Sequence, residues 1–110
     1  MRHLTPTDFA KRARIIKAMA HPSRLTMLHA LAAGEKCVCD LRDLVGADLS
    51  TVSKHLSVMK KAGLVDDRKE GLRVHYRLRV PCVLDFMNCI EAVQAADGTP
   101  ARQRQACCAR

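Results

Sequence analysis

Residues 38–63, VCDLRDLVGADLSTVSKHLSVMKKAG, narrow the fold more than any other part of the chain. VCDLRDLV at 38–45 has the apolar spacing of a short helix that Gly46 is placed to close. GADLS is a tight connection in which Asp48 or Ser50 can cap the helix that follows. In STVSKHLSVMKKAG, Val52, Leu56 and Met59 recur at spacings of four and three, and Gly63 is the stop. A short helix, a tight turn and a longer helix with a polar outer face together outline a helix-turn-helix.

The flanks extend that pattern. Phe9, Ala13, Ile16 and Ala20 follow the helical period, so residues 7–20 read as an amphipathic helix. HPSR breaks the chain, Pro22 suits the first turn of a second helix, and Leu25, Leu28, Leu31 and Ala32 give it an apolar face before Gly34. Further on, Leu72, Val74, Tyr76 and Leu78 alternate with Arg73, His75, Arg77 and Arg79, which predicts a strand with one buried and one basic face. A partner strand is expected at about 64–69, with the hairpin tip at Glu70–Gly71. Pro81 ends the strand, and CVLDFMNCIEAVQAA resumes helix with Val83, Phe86, Met87, Ile90 and Val93 apolar. The expected order is ααααββα, mainly α with a two-stranded β-wing: a winged helix-turn-helix at residues 1–96 and a flexible basic tail at 97–110.

Charge points to the partner. Nineteen Lys and Arg against eleven Asp and Glu give a net charge of +8, and a small domain with that excess suits a polyanion, nucleic acid first. No stretch approaches the roughly 18 apolar residues of a membrane span, and MRHLTPTDFAKRAR lacks an apolar leader core, so a cytoplasmic protein is expected. In that compartment the six cysteines stay mostly reduced, which argues against a disulfide framework and for thiols that bind metal, react or pack.

Three segments, AMAHPSRLTMLHAL at 18–31, DLSTVSKHLSVMKKAGLV at 48–65 and RKEGLRVHYRL at 68–78, resemble the ArsR/SmtB family of small dimeric bacterial repressors. The resemblance runs from about residue 9 to residue 96. It implies a homodimer with the first and last helices at the interface, and a recognition helix carried by the segment at 48–65. Ser50, Thr51, Ser53, Lys54 and His55 would then face DNA from that helix's N-terminal end, where free N–H groups and the helix dipole suit a phosphate and polar side chains can read base edges. Lys60 and Lys61 would meet backbone phosphates, and on the wing Lys69 and Arg73 are the expected contacts. The family often has Arg where this chain has Leu72. A dimer should prefer a pseudo-palindromic duplex with half-sites about one helical turn apart, or a multiple of it.

KCVCDL at 36–41 raises the question of sensing. Clustered thiols without histidine favour soft, thiophilic ions. The CVCD sequence is similar to the metalloid-responsive branch of the family, whose usual CVCDLC offers three thiols to a trigonal As(III) or Sb(III); here Arg42 stands at the third position. Residues i and i+2 of a regular helix point about 200° apart, so Cys37 and Cys39 converge only if the helix frays there or starts between them. Cys107 and Cys108 are candidates for the missing ligand, since the eleven residues from Ala96 to Cys107 extend to at most about 36–40 Å. Cys82 and Cys89 are expected as small hydrophobes at the dimer interface. A zinc-type site on the last helix is rejected, because Asp85 and Glu91 there have no histidine beside them.

The function expected is a DNA-binding repressor released by As(III) or Sb(III) as inducer, with no permanent cofactor. The alternatives are a thiol redox or persulfide sensor and a Cd/Pb-type soft-metal sensor on the same fold. An enzyme is not expected: neither a CxxC on a βαβ unit nor a nucleophile–base arrangement is present.

Overall fold

The computed structural model describes residues 3–95. The chain divides into two compact units that meet at Val80–Pro81. The first contains helices α1 (Pro6–Met19), α2 (Pro22–Leu31), α3 (Val38–Val45) and α4 (Leu49–Lys61), and strands β1 (Lys36–Cys37), β2 (Val65–Glu70) and β3 (Arg73–Leu78). The second carries α5 (Val83–Ala95). Residues 97–110, expected as a tail and including Cys107 and Cys108, lie outside the described residues.

Local chemistry sets the helix starts. Thr5 and Asp8 form a reciprocal capping box: the Thr5 hydroxyl accepts from the Asp8 amide at 3.3 Å, and the Thr5 amide donates to Asp8 Oδ2 at 2.9 Å. His21 caps α2 by accepting the Ser23 amide on Nδ1 at 3.0 Å, with Pro22 in the first turn as expected. Asp48 caps α4, its Oδ1 accepting the Thr51 amide at 2.8 Å. Gly46 closes α3 in the left-handed region at φ 78°, where side chains are strained.

The core is aliphatic. Met27 and Leu28 of α2, Leu41 of α3, Val52, Leu56 and Met59 of α4 and Val65 of β2 are its largest fully buried side chains. All three α4 positions read as inward-facing from the sequence are therefore core. They clamp α4 against the rest of the first unit and leave its other face in solvent.

Three expectations change. The sheet has three strands in the order β1-β3-β2, because Lys36 and Cys37 pair antiparallel with Tyr76 and His75. Glu70 still pairs with Arg73, so the hairpin tip is Gly71–Leu72, with Gly71 at φ 63° as the first central residue of a two-residue turn. His75, assigned to the exposed basic face, is half-buried.

The apolar row of α1 points outward, with Phe9 55% and Ile16 49% exposed, while Ala18 and Met19 supply the buried contact. In α5, Phe86, Ile90 and Val93 share one helical face at spacings of four and three and are likewise exposed. Cys82 is exposed and Cys89 is half-buried, so neither is a core residue of the single chain.

Candidate nucleic-acid interface and thiol site

Because Val52, Leu56 and Met59 hold α4 by its inner face, Ser50, Thr51, Ser53 and Lys54 stand exposed on the outer one. Ser50 is steered by its hydroxyl, which donates to Asp48 Oδ1 at 3.3 Å. Hydrogen bonds from Thr51 and then Ser50 hold the Asp48 carboxyl below the usual carboxylate range. The cap thus remains an anion that accepts amides without covering the exposed hydroxyls.

His55 is placed differently from its neighbours. Its Nδ1 accepts from Arg24 Nε at 3.0 Å, and its ring packs against His21 with centroids 4.4 Å apart at 43°. Arg24 also donates through Nη1 to the Ala18 carbonyl at 3.3 Å, so a single guanidinium ties α1, α2 and α4 together. Burial first, then the nearby His21 and Arg24 charges, push the His55 imidazole below its ordinary value. His55 therefore orients the recognition helix on its supports, and sequence reasoning missed Arg24 because that contact spans 31 residues.

Ion pairing sorts the basic residues. Lys60 is held by Asp67 at 2.9 Å, Arg77 by Asp66 at 3.5 Å, and Arg68 bridges Glu35 and Glu70. Lys54, Lys61, Lys69 and Arg73 make no ion pair among the described residues and stay exposed. Four cations are thus left unneutralised on α4 and the wing, with Leu72 fully exposed at the wing tip.

At the thiols, Cys37 has extended backbone (φ −78°, ψ 160°) and is the residue from which α3 starts at Val38. The helix therefore begins between Cys37 and Cys39, the condition under which both thiols can reach one ion. Cys37 is 8% exposed, whereas Cys39 lies exposed in the first turn. The Cys37 amide donates to Asp40 Oδ2 at 3.4 Å, and the Cys37 thiol and amide hold the Asp40 carboxyl below its ordinary range. Arg42 reaches sideways to Asp43 at 3.5 Å. Among the described residues no group of three or more His, Cys, Asp or Glu side chains is placed to hold a metal ion. Two thiols at a helix start are donors of the soft kind.

Residues 21–67, from the cap of α2 through α4 into the wing, match the model described as "Bacterial regulatory protein, arsR family". The biofilm growth-associated repressor of Xylella fastidiosa is 30% identical over 98 residues, covering 86% of each chain. This chain belongs to the ArsR family. Another member, the cadmium resistance transcriptional regulatory protein CadC of Listeria innocua, is 38% identical over 64% of this chain and 60% of its own length. The chain thus spans well under two thirds of that relative. The arsenical resistance operon repressor of Escherichia coli is 39% identical over 59% of this chain and 56% of its own. Among solved structures, the AntR antimony-specific transcriptional repressor superposes with a TM-score of 0.73 at 29% identity, covering 88% of this chain and 89% of that one. A homodimeric winged helix-turn-helix DNA-binding domain from Mycobacterium bovis superposes with a TM-score of 0.69 at 33% identity, covering 86% and 90%. The ArsR-family fold is accordingly a winged helix-turn-helix, and no helix among the described residues is long and apolar enough to cross a membrane.

Proposed function

We propose that the chain is a homodimeric transcriptional repressor of double-stranded DNA that releases a pseudo-palindromic operator on binding As(III) or Sb(III). Ser50, Thr51, Ser53 and Lys54 approach the major groove, Lys69 and Arg73 grip phosphate beside it, and Cys37 and Cys39 take the ion, with Cys107 or Cys108 as third thiol. One observation carries this reading: α3 starts at Val38, between the two thiols, and leads through Gly46 and Asp48 directly into α4. An ion gripping both sulfurs constrains that start, and the constraint passes to the recognition helix through a short turn. The named specificities of the arsenical and antimony repressors support the choice of ion. The exposed apolar rows of α1 and α5 support a dimer.

Coupling between sites is commonly worth about 5–150-fold in affinity, enough to empty an operator. The experiment selects a duplex from a random pool. Its binding to the full chain is then titrated separately with As(III), Sb(III), Cd(II), Zn(II), peroxide and a persulfide donor. Release by the metalloids supports the proposal; release by the oxidants alone contradicts it and favours a redox sensor.

A further inference from the structure

A groove of about 420 Å³ opens to solvent where α1, α2 and α4 meet, a volume within the range of small-molecule sites. Ala18, Val58 and Ala62 give it an apolar wall. Arg14, Lys17, Arg24 and Lys61 also line it, and no carboxylate does. Arg14, Lys17 and Lys61 are exposed and make no ion pair among the described residues. Arg24 donates through Nε to His55 and through Nη1 to the Ala18 carbonyl, which fixes its guanidinium in place. Its Nη2 makes no hydrogen bond among the described residues. Arg14 and Ala18 stand roughly 140° and 180° round α1 from Phe9, so the groove is separate from the outward apolar row.

The lining selects its occupant. Four cations gathered round one concavity repel one another, and an anion relieves that repulsion. A bare phosphate would leave Ala18, Val58 and Ala62 in water, and a neutral apolar molecule would leave the cations uncompensated. A duplex phosphate has no apolar part to lay against that wall. A guanidinium held in one plane suits a carboxylate, whose two oxygens match its N–H fork.

We propose that this groove binds a small amphipathic carboxylate, an aromatic or medium-chain organic acid. Its carboxylate sits among Arg14, Lys17, Arg24 and Lys61, and its apolar body lies against Ala18, Val58 and Ala62. The bound acid neutralises Lys61 and sets negative charge beside the recognition helix, so it opposes an operator phosphate there. By reciprocity the operator opposes the acid by the same factor. Cys37 and Cys39 do not line the groove, so the acid is a second input to the same helix. The effect on DNA rests on the operator-binding reading; the binding of the acid does not.

The test first titrates benzoate, octanoate, benzamide and inorganic phosphate separately into the full chain without DNA, following backbone amides by NMR. Benzoate or octanoate should give saturable shifts at residues 14–18 and 58–62, with affinity about 10-fold or more above benzamide and phosphate. Arg14→Gln and Lys17→Gln, both at exposed positions, should each weaken the acid by about 3–10-fold. Arg12→Gln removes the same charge from α1 beside Phe9, its guanidinium 6.0 Å from that ring, and should leave the acid's affinity unchanged. Phosphate or benzamide binding as tightly as the acids, unchanged affinity in Arg14→Gln and Lys17→Gln, or no saturable shift would overturn the proposal. The acid that binds is then added to the operator complex, where fluorescence anisotropy should show operator affinity falling by about 5-fold or more. An acid that binds the groove and leaves operator affinity unchanged would overturn the second input. A chain that takes the acid but selects no duplex would instead contradict the operator-binding reading and leave the groove's ligand in place.

Discussion

His55 shows how far one side chain's role depends on contacts distant in sequence. Its position on the recognition helix suggests base reading, yet Arg24 and His21 hold it against α2. Its imidazole lies below the ordinary value near 6.5. A group with a depressed folded pKa contributes stability above its unfolded pKa and loses that contribution as pH falls through the folded one. The protein should therefore lose stability on acidification from about pH 6.5 downward, before the carboxylates titrate. His55→Gln should flatten that part of the profile, measured as the thermal unfolding midpoint against pH. An unchanged profile would mean that the Arg24–His55 contact does not shape stability.

Among the elements, the wing makes the sharpest distinction. Lys69 and Arg73 make no ion pair among the described residues, whereas Arg68 and Arg77 are engaged by carboxylates. Lys69→Ala and Arg73→Ala should each lower the slope of log affinity against log salt by about 1, uniformly across sequences, if each meets one phosphate. Arg77→Ala should lower it less, and fluorescence anisotropy at several salt concentrations reads all three. The helices were legible because their apolar periods and caps are local: Pro22, Asp48 and Gly46 stand where the sequence puts them. Strand β1 was not, since two residues carry no period and pair only with a strand about 40 residues away. The same long-range pairing hid His75, which alternation assigned to solvent. For the thiols, the residues and the need for a helix start between them could be read in advance. That Cys37 is buried and Cys39 exposed follows from packing against β3 and could not.

For the whole molecule, the outward rows of α1 and α5 are the main feature the single chain leaves unsatisfied. Periodicity found these apolar faces but could not say that the single chain would leave them exposed. Ile90→Asp should shift the protein from dimer to monomer by sedimentation and weaken operator binding at unchanged helicity. A monomer that binds the full operator as tightly as the parent would contradict the dimeric reading. The central claim is that the thiols at the start of α3 govern release of DNA. Its most direct measurement is operator anisotropy during As(III) titration, comparing the parent chain with Cys37→Ser and Cys39→Ser. As(III) should release the parent while both variants stay bound at the same metalloid concentration, their affinity without metalloid unchanged. Release that survives both substitutions would contradict it.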